Sequence, residues 1–176
     1  STGAVRLRVN SADQFVVGPK GPLDAWRILG KSGVAVSHTG TTSETTLATV
    51  TVAAGAIGAN GMLRITTLWS YTNNANTKTL RIQFGASVNY PLNTSPTTTT
   101  SLHAITTIWN RNSEASQVSP NAFVATDGSF GTEASAVTTA TVDTSLSKDL
   151  TFKVTLANAA DTATLESYLV ELLYSA

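Results

Sequence analysis

Apolar and polar side chains alternate with a period of two across residues 62–84, MLRITTLWSYTNNANTKTLRIQF. Successive side chains of a β-strand point to opposite faces, so each half of this stretch has one largely apolar side. The link Asn73–Asn76 suits a tight reversal, because asparagine tolerates left-handed backbone conformations. The stretch therefore predicts a β-hairpin. One apolar side carries Leu63, Ile65, Thr67, Trp69 and Tyr71, and the other carries Lys78, Leu80, Ile82 and Phe84.

The same alternation recurs along the chain and predicts an all-β protein. Thirty residues are threonine, a β-branched residue that suits a pleated, half-exposed surface. Further strands are predicted over residues 44–52, 86–90, 102–110 and 150–156, with the strand at 86–90 ending before Pro91. About eight strands separated by turn residues are typical of an antiparallel β-sandwich or barrel.

The last element, residues 164–174, fits two patterns. Leu165, Leu169 and Leu172 have helical spacing, and the residue types favour a helix. As a strand, the segment would place Tyr168, Val170, Leu172 and Tyr174 on one face, with Leu165, Leu169 and Leu173 on the other. We predict the strand, since a closing strand often lies centrally in a sandwich.

Residues 102–110 predict a strand with two apolar faces. Leu102, Ala104 and Ile108 lie on one side, and His103, Ile105 and Trp109 lie on the other. Such a strand is either central in a stack or buried between subunits. We therefore expect a subunit contact at residues 102–110.

Two segments differ in composition. Residues 1–36 hold five of the eleven basic residues and two of the five prolines, and we interpret them as an N-terminal arm or attachment segment. Residues 37–176 form the predicted sandwich. The alternative is that residues 1–36 are simply the first strands of that sandwich.

Charge restricts the classes of partner. Only 12% of the residues are charged and the formal net charge is zero, whereas a typical domain is roughly 25% charged. Phosphate binding needs clustered positive charge, so nucleic acid is not expected as a partner. No apolar run is long enough to span a membrane. A weakly charged surface is easily buried, which favours a multimer.

The sequence shows no catalytic or metal-binding motif, so we expect neither an enzyme nor a cofactor. The two histidines, His38 and His103, lack ligand spacing; we expect His38 to be solvated and His103 to pack or to lie at an interface. Asp127 and Glu133 are the best carboxylate pair for a glycosidase, but they are six residues apart in a loop, and we expect them to be solvated surface charges.

One short run has the composition of a glycan-binding site. Trp109, Asn110, Arg111 and Asn112 follow one another where a strand meets a loop. Sugars bind through aromatic rings against their apolar faces and through amide or guanidinium hydrogen bonds to their hydroxyls. The competing interpretation is that Trp109 is a core or interface residue and the rest is a solvated loop.

Residues 44–85, ETTLATVTVAAGAIGANGMLRITTLWSYTNNANTKTLRIQFG, resemble a module of virion proteins of tailed bacteriophages. The closing run SYLVELLYSA, residues 167–176, is similar to the end of such proteins. The resemblance covers the chain from His38 onward. It implies a jelly-roll-like β-sandwich, usually a homotrimer, on a tail fibre or spike tip or as a capsid decoration or fibre. It carries no binding residues over to this chain.

Three hypotheses about function follow. The first is a non-enzymatic virion surface protein, assembled as a trimer and docked to other virion proteins through residues 1–36. The second is a glycan-binding module that recognises a host surface, which could coexist with the first. The third is a polysaccharide-degrading enzyme acting through Asp127 and Glu133.

Overall fold

The computed structural model describes residues 6–9, 15–18, 26–86, 88–94, 99–120 and 136–173, and the side chains of 26–86, 99–120 and 136–173. All the regular secondary structure in this part of the chain is β-strand. The strands are β1 (Arg6–Val9), β2 (Phe15–Gly18), β3 (Trp26–Ser32), β4 (Val36–Thr39), β5 (Thr45–Val52), β6 (Met62–Tyr71), β7 (Lys78–Phe84), β8 (Val88–Thr94), β9 (Ser101–Asn110), β10 (Gln117–Ser119), β11 (Thr138–Ala140), β12 (Lys148–Leu156) and β13 (Thr162–Leu173).

Two antiparallel sheets form the sandwich. The large sheet has the order β11-β10-β9-β6-β13-β3, with β4 beside β3 on the same edge of β13. The small sheet has the order β5-β12-β7-β8. The chain passes repeatedly from one sheet to the other, so sequence neighbours such as β5 and β6 lie in opposite sheets, as in a jelly roll. The predicted all-β, jelly-roll-like β-sandwich is confirmed.

The predicted hairpin over residues 62–84 is wrong, although both of its strands are present. β6 pairs with β9 and β13 in the large sheet, whereas β7 pairs with β12 and β8 in the small sheet. The two apolar sides therefore face each other across the core instead of lying side by side in one sheet. Residues 72–77 carry the chain between the sheets, which alternation alone cannot distinguish from a hairpin turn.

The core lies between the inner faces of the two sheets. Phe152 of the small sheet stacks on Tyr168 of the large sheet, with ring centroids 4.9 Å apart and planes 28° apart. Trp69 is completely buried. Other members of this core are Leu63, Ile65, Leu80, Ile82, Phe84, Leu102, Ile108, Leu150, Val154, Leu156, Leu165, Val170 and Leu172.

The closing element is a strand, as predicted, and lies centrally between β6 and β3. One residue, Leu165, lies on a different face from the one predicted. Leu165 is opposite Trp69 and Ser167 is opposite Leu68, so Glu166 is an extra residue in a β-bulge. The bulge shifts the alternation by one residue, which is why Leu165 is buried in the core and is not on the face that carries Leu169 and Leu173.

Strand β8 continues through Pro91 and ends at Thr94, beyond the predicted end at residue 90. It is the last strand of the small sheet and pairs only with β7 among the described strands. An edge strand tolerates proline because one row of its N–H groups has no neighbour to bond.

The predicted boundary at residue 36 falls at the first residue of β4. Within residues 1–36, β3 pairs with β13 and belongs to the large sheet, while β1 and β2 pair with each other. The assignment of residues 1–36 as an attachment arm stays a prediction.

Candidate functional site

Strand β9 has the two faces that its sequence predicts. Leu102, Ala104 and Ile108 are buried in the core, whereas Ile105 and Trp109 are each 41% exposed on the outside of the large sheet. His103 is exposed on that same outer side. Because the large sheet has no second layer over this side among the described residues, these apolar groups face solvent in a single copy.

Strand register extends this surface across the sheet. Leu173 of β13 is opposite both Trp26 of β3 and Met62 of β6. Met62 is in turn opposite Trp109, which is opposite Val118 of β10. One row of apolar residues therefore crosses five neighbouring strands at the end of the sheet where β6 begins.

We call this surface the outer face. Trp26 and Ile28 are 47% and 54% exposed there, and Leu68 is 39% exposed. Its apolar members are Trp26, Ile28, Met62, Leu68, Ile105, Trp109, Val118, Leu169 and Leu173. Two tryptophans of the three in the chain lie on it. Large exposed apolar patches mark interaction sites or aggregation-prone surfaces in soluble proteins, so the outer face is the candidate functional site.

An ion pair between Arg64 and Glu171 lies among these apolar residues. The Arg64 Nε donates a hydrogen bond of 2.7 Å to Glu171 Oε2, and the Arg64 guanidinium lies 4.2 Å from the centroid of the Trp26 ring. The hydrogen bond to Glu171 raises the pKa of Arg64. The two charges cancel within the outer face, so the pair adds no net charge to a contact made there.

The four residues of the predicted glycan site do not share one surface. Trp109 lies on the outer face, and Arg111 and Asn112 are exposed in the loop that follows. Asn110 is buried, and its Nδ2 donates to the Gly58 carbonyl at 2.6 Å and to Thr144 Oγ1 at 2.8 Å. Its amide is therefore occupied inside the protein and does not reach the outer face.

Asn110 belongs to a buried polar network that ties three loops together. Gln117 Nε2 donates to Asn110 Oδ1 at 2.9 Å, and Gln117 Oε1 accepts from the Val142 backbone N–H at 2.7 Å. Thr144 Oγ1 also donates to the Glu114 carbonyl at 2.8 Å. The side-chain amides of Asn110 and Gln117 each have hydrogen-bond partners on both oxygen and nitrogen. Their burial therefore leaves no unsatisfied polar group to destabilise the fold. The network holds the loop after Trp109 in place.

Sequence reasoning missed a second buried polar cluster at the opposite end of the sandwich. Lys78 is completely buried at the start of β7, and its Nζ lies 3.5 Å from Asp161 Oδ2. Asp161 accepts from Asn74 Nδ2 at 2.6 Å and from Asn76 Nδ2 at 3.0 Å. Lys78 shares a strand face with Leu80, Ile82 and Phe84, and this inward position was the one hint in the sequence.

The pKa of Asp161 lies below its ordinary value, although two effects oppose each other. Burial raises the pKa of the carboxyl, whereas the hydrogen bonds from Asn74 and Asn76 and the charge of Lys78 lower it more. Asp161 is therefore an anion that its neighbours hold in place.

Of the remaining candidates, only the two histidines lie among the described residues. Contrary to expectation, His38 is buried, and its Nε2 lies 3.0 Å from the Thr41 carbonyl. Asp127 and Glu133 lie outside the described residues. Within residues 26–86, 99–120 and 136–173, no three His, Cys, Asp or Glu side chains are grouped as metal ligands. The part of the chain that the structure describes contains no helix that could cross a membrane.

No protein-family model and no curated protein sequence matches this chain. A structural comparison matches a chain in the structure of infectious bursal disease virus, Gx strain. The TM-score is 0.38 and the identity is 7%, and the match covers 99% of this chain and 42% of the viral chain. This chain thus spans less than half of that viral chain, and a likeness at this level carries no conclusion about function.

Proposed function

We propose that this chain is a non-enzymatic structural protein of a tailed-bacteriophage virion, displayed at the virion surface as a homotrimer. It would serve as a tail fibre or spike tip, or as a capsid decoration or fibre. The jelly-roll-like sandwich and the sequence resemblance over residues 44–85 and 167–176 support the class of protein. The outer face supports self-association, and it is the observation that carries the proposal.

The composition of the outer face fits a contact between identical chains. Protein interfaces are enriched in aromatic residues and depleted of charged ones at their centre. Trp26 and Trp109 are half-exposed in one apolar row, and Arg64 and Glu171 neutralise each other beside it. A chain with no net charge also gives little repulsion between copies. The number three comes from the resemblance alone.

Light scattering coupled to size-exclusion chromatography tests self-association. We expect the wild-type chain to elute as a trimer at micromolar concentration. Ile105→Lys would place a charge in the centre of the outer face, so we expect monomers. Leu146→Lys is the matched control, since Leu146 is also exposed but lies in the turn before β12. A stable wild-type monomer would contradict the proposal.

Glycan binding is the alternative, and one observation favours it: Trp109, Arg111 and Asn112 are all exposed within four consecutive positions of the chain. A glycan array distinguishes the two functions. If Trp109 binds sugar, Trp109→Ala abolishes array binding while Arg64→Gln leaves it unchanged. If Trp109 only contacts another copy, the array shows no binding for the wild type and Trp109→Ala weakens the trimer.

A further inference from the structure

The structure assigns a self-modification site to the buried cluster around Lys78. We propose that Lys78 and Asn74 join through an intramolecular amide bond between their side chains, formed by the folded protein with release of ammonia. This proposal does not depend on the proposed function.

The nucleophile and the electrophile are in contact. Lys78 Nζ lies 2.5 Å from Asn74 Oδ1, which places the amine beside the carbonyl carbon that carries this oxygen. Lys78 is completely buried, so water is kept from the amine. Holding two reacting groups side by side in a dry site replaces an encounter in solution with a step inside one molecule.

The neighbours hold the Asn74 amide in one orientation. Its Oδ1 accepts from the Asn76 backbone N–H at 3.0 Å, and its Nδ2 donates to Asp161 Oδ1 at 2.6 Å. The Asn76 N–H is therefore positioned to stabilise negative charge that develops on Oδ1 during attack. The nitrogen that must leave already contacts a carboxylate.

Asp161 can move the proton that the reaction requires. Its Oδ2 lies 3.5 Å from Lys78 Nζ, and its Oδ1 contacts Asn74 Nδ2. The Lys78 ammonium gives a proton to the Asp161 carboxylate, and the neutral Nζ forms a bond to the Asn74 carbonyl carbon. Asp161 then protonates Nδ2 as the bond from carbon to Nδ2 breaks, and the second proton that Nζ loses on becoming an amide N–H leaves with the ammonia, as ammonium.

The step balances without an oxidant, reductant or second substrate. An ammonium and a primary amide become a secondary amide and an ammonium ion, with the Asp161 carboxylate regenerated. The bond would close the link between β6 and β7, which carries the chain from one sheet to the other.

Intact mass spectrometry of the denatured full chain tests the proposal. We expect the wild type to be lighter than its sequence by the mass of one ammonia molecule. Trypsin would fail to cleave after Lys78, so residues 65–81 would remain in one peptide that contains a side-chain lactam ring between Asn74 and Lys78. A wild-type mass equal to that of the unmodified sequence after prolonged incubation overturns the proposal.

Variants test whether Lys78 and Asp161 are the residues that the reaction requires. Lys78→Met and Asp161→Asn should both show the unmodified mass, whereas Lys153→Met, which changes a partly exposed lysine paired with Glu44, should still lose ammonia. Asparagine can also lose ammonia by closing a succinimide ring on its own backbone. An ammonia loss with normal cleavage after Lys78 would indicate that ring and would overturn the proposal, and this readout uses only the wild type.

Discussion

At the scale of single residues, Gly61 shows how closely the chain segments approach one another. A Cβ atom at this position would lie 2.0 Å from the Ile57 carbonyl oxygen and 2.6 Å from the Leu173 carbonyl oxygen. Both neighbours are backbone atoms, so neither can move away by a change of side-chain rotamer. Only glycine therefore fits between the loop before β6 and the end of β13.

We expect Gly61→Ala to lower the free energy of unfolding by about 1–3 kcal/mol, the usual cost of overpacking. Gly33→Ala is the control, because a Cβ atom there meets no heavy atom within 4 Å. Its effect should stay within about 0.5 kcal/mol. Urea denaturation of both variants measures the difference. Equal urea midpoints for the two variants would show that the backbone around Gly61 moves to accommodate the added methyl group without loss of stability.

Asp161 makes stability depend on pH in a defined direction. Its pKa in the folded state lies below the ordinary value, so the folded chain binds a proton less readily than the unfolded chain. The stability that the carboxylate contributes is complete above the ordinary aspartate pKa of about 3.9 and is lost as the pH falls through the folded value. An amide bond between Lys78 and Asn74 would remove the positive charge of Lys78. It would leave the hydrogen bond that Asn76 donates to Asp161.

The measurement is the difference in unfolding free energy between the wild type and Asp161→Asn. We expect this difference to be largest at neutral pH and to shrink in acid below about pH 4. Ser147→Ala removes a hydrogen bond to the Val52 backbone carbonyl and provides a control, because neither partner of that bond titrates. A difference that stays constant from neutral to acid pH would contradict the assignment of the low pKa.

At the scale of strands, alternation identified most elements but not their partners. The two faces of β9 and the strand at the end of the chain followed from the sequence alone. The separation of β6 and β7 into opposite sheets did not, because a link that reverses direction looks the same whether it joins neighbours or crosses the core. The bulge at Glu166 was also hidden, since one extra residue changes the faces without changing the composition.

The candidate site shows the same limit. Trp109 could be placed on an outward face by counting along β9, but Asn110 could not be placed in a buried network. Two partners of Asn110, Gly58 and Thr144, are distant in sequence, and the third, Gln117, comes from the next strand. Lys78 likewise gains its role from Asp161, which lies in another loop.

Strand β3 gives a prediction at this scale about the N-terminal segment. It pairs with the second half of β13, so its removal would leave a central strand as an open edge. We expect a chain lacking residues 1–25 to fold with the large sheet complete, whereas a chain lacking residues 1–36 should melt at a lower temperature. Both should fail to bind virions if the first segment docks the protein.

Circular dichroism melting and co-sedimentation with particles that lack this protein measure the two properties. Equal melting temperatures for the two truncated chains would show that β3 adds little to the sheet. Sedimentation of the chain lacking residues 1–25 with particles would place the attachment surface on the sandwich instead.

At the scale of the whole molecule, the outer face is the surface through which we propose that copies of the chain associate. It is apolar over several strands, and its central charges already satisfy each other. A contact formed by burying it should therefore depend little on salt, because screening weakens interactions between exposed, separated charges. Association that disappears in high salt would indicate a different, charged contact.

The Arg64–Glu171 pair provides the sharpest test of whether copies meet on this face. If the pair is buried between copies, Glu171→Met leaves the Arg64 charge without its partner in a dry contact, which typically costs about 2–5 kcal/mol. Replacing both residues with methionine removes the charge as well, so the double variant should assemble as well as the wild type or better. Sedimentation equilibrium over a range of concentrations gives the association constants. If the single and double variants associate equally, the pair remains in solvent and the copies meet elsewhere.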